Sequence, residues 1–342
     1  MNSNAVSILG SDQVAHALAG KERAILQAVA DAYRVHAEHA SALPHSSFLR
    51  FPGMERERII ALPAYLGGPF SVAGLKWISS FPENIRHGLE RASAVLLLNA
   101  LDTGRVYAVL ESSLISAVRT AASAALAAER LAAPGAHTSV GLVGCGAINF
   151  QVLRFLRVVR PELDRALLFD LDPARARSFQ RVAAERLGME NTTVVASSSE
   201  LFGNTRLISL ATTAVSPHLT EHSGVRPGSL ILHVSLRDLV PSMVLDADNV
   251  VDDVDHVCRA NTSLHLAEQQ VKHRDFIRTT LGEILSDKAA AAPAEPKALT
   301  VFSPFGLGIL DLAVGKLAYQ EAMASQKVTV LEGFHPRPWS VL

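Results

Sequence analysis

Apolar residues recur every three or four positions through GSDQVAHALAGKERAILQAVADAYRVHAEHA, residues 10–40. That spacing predicts an amphipathic helix, capped by Ser11 or Asp12. From SSFLRFP to about residue 110 the pattern changes. RIIALPAYL, VAGLKWIS, ASAVLLLN and RVYAVLE are short runs rich in branched residues, broken by Gly, Pro, Asn and Asp. NALDTGR between two of them reads as a hairpin turn, so this region predicts a mostly antiparallel sheet.

ISAVRTAASAALAAERLAA then predicts an Ala-rich helix ended by Pro134 and Gly135. Beyond it, SVGLVG, RALLFD, TTVVAS, RLISLAT, SLILHVS and NVVDD are continuous apolar runs separated by helical or loop text. Such runs suit strands buried on both faces of a parallel sheet. KALTVFS predicts one more strand, and SDKAAAAPAEPKA a surface loop before it. DLAVGKLAYQEAMAS predicts a late helix, and KVTVLEG a last strand that rejoins the first region.

Composition narrows the class. The 342 residues predict two domains. Hydrophobic residues at 49% allow a sizeable core. A formal charge of −1 argues against broad nucleic-acid or membrane-surface binding. Two cysteines, Cys145 and Cys258, are too few for a disulfide framework and suit a reducing cytoplasm. The N-terminal text has no basic region followed by an apolar run, so no signal peptide is expected, and no membrane span is predicted. There is no Cys/His spacing for zinc, so no metal is expected.

SVGLVGCGAINFQ reads as strand, tight turn and helix, with Gly144 permitting the turn and Gly146 letting a pyrophosphate approach the backbone. Asn149 stands where the fingerprint's third glycine would be. Asp170 follows at the end of the next strand, 24 residues beyond Gly146, where an acid accepts hydrogen bonds from the adenosine ribose of NAD and disfavours NADP. Three cations sit among apolar residues: Arg50 in SSFLRFP, Lys76 in GLKWIS and Arg119 in VRTAASAAL. Each alone reads as a solvated or snorkelling charge.

Together with their context they read differently. The text from RIIALPAYLGG through KWISSFPENIRHGLERAS and RTAASAALAAERLA to VGLVGCGAINFQ resembles the ornithine cyclodeaminase/μ-crystallin family over nearly the whole chain. ALPAYLGG, KWISSFPEN, RASAV and ISAVRTAASAA look like its siderophore-pathway branch, the N-(2-amino-2-carboxyethyl)-L-glutamate dehydrogenases. The resemblance implies an α/β fold: a Rossmann doubly wound parallel sheet (119–311) inserted into an α+β substrate-binding and dimerisation domain (1–118 and 312–342). It implies NAD as cofactor, a homodimer and a small amino-acid conjugate as substrate. Arg50 and Lys76 fall where the family binds substrate carboxylate, with Arg119 near both ligands and Arg91 as an extra cation. Ala147 and Ile148 fall on the pyrophosphate. Thr212, His233, Val234, Ser235 and Leu236 fall beside the cofactor, and Gly308 beside the substrate. Asp238 takes the place of the catalytic acid/base, with burial expected to help it hold a proton.

The implied reaction is oxidative hydrolysis of the conjugate to L-2,3-diaminopropionate, 2-oxoglutarate and NADH. The alternatives are ornithine cyclodeamination, cyclic ketimine reduction, or a μ-crystallin-like binding protein. Two departures count against plain cyclodeamination. Leu236 and Arg237 stand where cyclodeaminases carry glycines, and Arg91 where they carry Thr.

Overall fold

A computed structural model describes residues 4–132, 138–295, 297–336 and 339–341. The chain divides into two compact units, Met1–Arg119 with Leu307–Leu342, and Thr120–Gly306. The return crossing falls earlier than the expected 311/312 boundary. The reason is that the return helix Gly308–Ala324 belongs whole to the first unit's core.

In the first unit the N-terminal periodic run forms two helices, α1 (Ser11–Leu18) and α2 (Glu22–Ala37), and not one. Gly20 at φ +67° breaks the run, and Gly10, one residue before the expected cap, occupies the α1 N-cap. The strands are β1 (Val6–Leu9), β2 (Ser41–Ala42), β3 (Ser47–Phe51), β4 (Met54–Leu66), β5 (Val72–Ser80), β6 (Ala92–Asn99) and β7 (Val106–Glu111). A last strand, Thr329–Leu331, pairs antiparallel with β1, which closes the sheet as the sequence predicts. The order is last strand, β1, β7, β6, β5, β4, β2, with β3 also on β4; β1–β7 is parallel.

The return helix lies on one face of this sheet, and the close approach is visible at its glycines. A Cβ on Gly315 would stand 2.2 Å from Leu96 Cδ2, and one on Gly74 of β5 would stand 2.7 Å from Leu312 Cδ2. Because strand side chains alternate, Gly74 and Lys76 point toward that helix, while Trp77 between Lys76 and Ile78 points away and is 43% exposed.

Helix α3 (Ser113–Leu131) carries the chain into the second unit; the expected stop at Pro134 and Gly135 lies outside the described residues. The second sheet is wholly parallel. Its strands are β8 (Ser139–Val143), β9 (Arg165–Phe169), β10 (Thr192–Val194), β11 (Leu207–Leu210), β12 (Ser229–His233), β13 (Asp248–Val251), β14 (Ile277–Thr280) and β15 (Leu299–Ser303). Their order is β10-β9-β8-β11-β12-β15-β13-β14. Sequence order reverses direction between β8 and β11, the switch point at which doubly wound sheets bind ligands outside the strand C-termini. β8, β11 and β12 are buried almost throughout, which explains their unbroken apolar text. The short β14 escapes the sequence reading because three of the four residues of IRTT are polar.

Candidate active site

In the first unit, Lys76 of β5 is 2% exposed. Its Nζ donates to Asp311 Oδ2 at 2.7 Å and to Ser116 Oγ at 3.2 Å. Arg119 Nε donates to the other carboxylate oxygen, Oδ1, at 3.1 Å. Two cations therefore share one fully buried carboxylate. Burial, then the neighbouring Arg119, lowers the Lys76 ammonium to about 8 despite the opposing pull of Asp311. The carboxylate nearest to Lys76 is thus the chain's own, which the expected role of a simple substrate anchor did not include. Asp311 was missed by sequence reasoning. Its signal was an acid within ILDLAV, inside an otherwise apolar helix.

The other expected substrate cations lie elsewhere in this unit. Arg91 Nη1 donates to Ser80 Oγ at 2.7 Å, and burial lowers its guanidinium. Ser80 shares Lys76's face of β5, four residues on. Arg50 is exposed on β3, opposite Arg58. Among the described residues no hydrogen bond joins Arg50 to the Lys76 cluster. Gly308 opens the return helix three residues before Asp311, and a Cβ there would stand 3.0 Å from Leu62 O.

In the second unit, the turn after β8 is built as a nucleotide cradle. Gly144 sits at φ +89°, and a Cβ there would stand 2.5 Å from Ala211 O, so only glycine fits. A Cβ on Gly146 would meet nothing within 4 Å, which leaves open space over the N-terminus of α4 (Ala147–Val159). The first-turn amides of a helix, here those of Ala147 and Ile148, have no helical carbonyl partners and suit an anion. Asn149 takes over the bracing role at the missing glycine. Its Nδ2 donates to Val143 O and Gly144 O at 2.9 and 2.8 Å, and Ser209 Oγ donates to its Oδ1 at 2.7 Å. Asp170 accepts from the Cys145 amide at 2.7 Å and the Asp172 amide at 2.9 Å, which fixes its carboxylate beside the turn. These residues fit a dinucleotide. Cys145 and Cys258 are both free and buried, and burial pushes each thiol up to about 12.

Asp238 is fully buried beyond β12. Thr212 Oγ1 lies 2.5 Å from its Oδ1, Ser235 Oγ 2.5 Å from its Oδ2, and His233 Nε2 3.2 Å from Oδ2. His233 Nδ1 in turn meets Ser303 Oγ at 3.2 Å. Burial pushes the Asp238 carboxyl up, but the His233, Ser235 and Thr212 contacts together outweigh it and hold the group down at about 2. This corrects the expectation that burial would let Asp238 hold a proton: the donors around it favour the anion. Leu236 adopts φ +68°, the left-handed region, while its side chain is buried in the core. That backbone conformation favours glycine, and this chain places a leucine there. Val234, between His233 and Ser235, is held by its amide on Leu232 O at 3.0 Å. Among the described residues no cluster of His, Cys, Asp and Glu could hold a metal, and no helix is long and apolar enough to cross a membrane.

The model of the ornithine cyclodeaminase/mu-crystallin family matches residues 16–326. The chain belongs to that family. It is 28% identical over 315 residues to the N-((2S)-2-amino-2-carboxyethyl)-L-glutamate dehydrogenase of Staphylococcus aureus, covering 90% of this chain and 92% of that one. Among solved structures, an archaeal alanine dehydrogenase dimer with bound NAD superposes with a TM-score of 0.84 at 25% identity, covering 96% and 99% of the two chains. The Δ1-pyrroline-2-carboxylate reductase of Thermococcus litoralis, in complex with NADH and L-proline, shares the fold with a TM-score of 0.87 at 24% identity, covering 95% and 99%. The chain's homologues include NAD-dependent dehydrogenases and reductases acting on amino-acid CH–NH groups.

Proposed function

We propose that this chain is an NAD-dependent dehydrogenase acting on a CH–NH bond, and that its substrate is N-(2-amino-2-carboxyethyl)-L-glutamate. The observation that carries the substrate choice is the buried cluster in which Lys76 and Arg119 share Asp311. Two cations against one anion leave one positive charge in a poorly solvated place, which favours a bound carboxylate. Arg91 and Arg50 add cations to the same unit, which suits a substrate with three carboxylates better than the cationic ornithine. The likeness to the staphylococcal dehydrogenase points the same way.

NAD⁺, when bound over Gly144, Gly146 and the α4 N-terminus, supplies the acceptor for the hydride of the glutamyl Cα. Asp170 binds the ribose hydroxyls and repels a 2′-phosphate. Arg119, Lys76 and Arg91 hold the substrate carboxylates and so orient the reacting carbon. Asp238, as a stable anion, takes the proton that the secondary ammonium must lose before hydride can leave. Water then adds to the substrate imine, and the carbinolamine collapses to 2-oxoglutarate and L-2,3-diaminopropionate. His233, Ser235 and Thr212 keep Asp238 oriented throughout.

The dimer belongs to the same reading. Ile8, Tyr65, Trp77 and Val95 share the sheet face turned away from the return helix and are all exposed, an apolar patch of the kind that marks an interface. Sedimentation of a Trp77→Glu variant as a monomer would support that surface. A reducing cytoplasm suits two free buried thiols. Net NADH from NAD⁺ and the conjugate supports the proposed activity; proline and ammonia from ornithine without net NADH would replace it with cyclodeamination.

A further inference from the structure

The proposed reaction has a fixed proton balance. A protonated secondary amine, NAD⁺ and water give a keto acid, a primary ammonium, NADH and one proton. Hydride leaves Cα with the electron pair, one N–H proton is released, and the water hydrogens end on the ammonium. One proton must therefore reach solvent in every turnover, yet Asp238 is 0% exposed. Among the described residues, two ionisable side chains stand within ion-pair distance of its carboxylate, His233 and His218. His233 is as buried as Asp238 itself. His218 is 45% exposed and brings Nε2 to 3.9 Å from Oδ1.

The position of His218 is built by backbone. The amides of His218 and Leu219 both donate to Asp238 O, at 2.9 and 2.8 Å, and the Val240 amide donates to Leu219 O at 3.0 Å. A short parallel bridge joins Leu219 to Leu239. The loop after β11 is thus stitched to the segment carrying Asp238, and the imidazole is tethered at one end of the carboxylate while its far side meets water. Thr212, on the same loop, donates to the same oxygen, Oδ1.

We propose that His218 is the proton exit of the active site: a side-chain movement that closes the 3.9 Å gap lets Nε2 accept the proton from Asp238 and release it to bulk water. Histidine is the side chain whose ordinary titration range best serves a relay at neutral pH. The Asp238 carboxylate is regenerated after each cycle, and the exposed ring exchanges freely with solvent.

This rests on the dehydrogenase reading above, and one experiment separates the two. Wild type and His218→Gln are assayed for NADH formation from NAD⁺ and the conjugate, with NAD⁺ affinity measured by fluorescence titration. A relay predicts kcat about tenfold to a hundredfold lower in the variant, KM and NAD⁺ affinity unchanged, and partial recovery by added imidazole in His218→Ala. An unchanged kcat in His218→Gln overturns the relay alone. A lowered kcat that imidazole does not restore overturns it too, since a merely structural role is not replaced by a free base. A wild type that forms no NADH sinks the parent reading and leaves His218 no proton to carry.

Discussion

Lys76 Nζ lies 2.7 Å from Asp311 Oδ2, and neither side chain is more than 2% exposed. The partners are separated by 235 residues of sequence, and one is on a strand and the other on the helix that returns after the whole second unit. Arg119 completes the cluster from α3. Removing one partner of a buried pair costs about 3–5 kcal/mol, because the charge left behind is uncompensated. In Lys76→Met, Asp311 keeps Arg119. In Asp311→Asn, two buried cations face each other with no anion. Asp311→Asn should therefore lose more stability than Lys76→Met in denaturant titration. The reverse order would show that Asp311 is not the shared counter-ion. Lys76→Met should also weaken substrate binding strongly and leave NAD⁺ binding nearly intact.

The lowered Lys76 value makes a pH prediction. Lysine binds a carboxylate as the ammonium, which is present below about 8 and lost above it. Substrate KM should accordingly rise about tenfold per pH unit above that point, with NAD⁺ affinity flat over the same range. Between about 8 and the ordinary lysine value of 10.5 the unfolded chain binds more protons at this residue than the folded one. Its own contribution to stability therefore grows with pH across that window. A KM flat from neutral pH to 10 would remove the Lys76 charge from substrate binding.

Asp238→Asn should keep NAD⁺ binding and lose turnover by about 10²–10⁴-fold. The native carboxylate is held at about 2 against an ordinary 3.8, so the stability it contributes is present above about pH 4 and is lost as pH falls toward 2. In the Asn variant that acid loss should shrink. Unchanged turnover in Asp238→Asn would take the residue out of the mechanism.

Leu236 offers a test of backbone strain. Its φ of +68° disfavours any side chain, while its isobutyl group packs in the core. Leu236→Ala loses packing and keeps the strain, so it should cost about 2–4 kcal/mol. Leu236→Gly loses the same packing and relieves about 1 kcal/mol of strain. Glycine should therefore be the milder change, the opposite of the usual order, as thermal unfolding can show.

Much of this was legible in sequence, for definite reasons. Continuous apolar runs marked β8, β11 and β12 because both faces of a parallel sheet are covered. Gly144, Gly146 and Asp170 were legible because a tight turn, open space and an acid at a strand end each restrict residue type. The break at Gly20 was hidden because the apolar spacing runs on through α1 and α2. Asp311 was hidden because its meaning lies in a partner 235 residues away. Asn149 read as a defect in a motif, and only its four hydrogen bonds, to Val143, Gly144 and Ser209, show it as a brace. The ionised state of Asp238 was misjudged because burial was visible in the text, while the donors Thr212 and Ser235 came together only in the fold.

The central claim is that this chain oxidatively cleaves an acidic amino-acid conjugate. Product analysis of a reaction of purified protein, NAD⁺ and N-(2-amino-2-carboxyethyl)-L-glutamate tests it most directly. The account predicts NADH, 2-oxoglutarate and L-2,3-diaminopropionate in equal amounts, abolished in Asp238→Asn. An intact conjugate, together with proline and ammonia from ornithine and no net NADH, would contradict it.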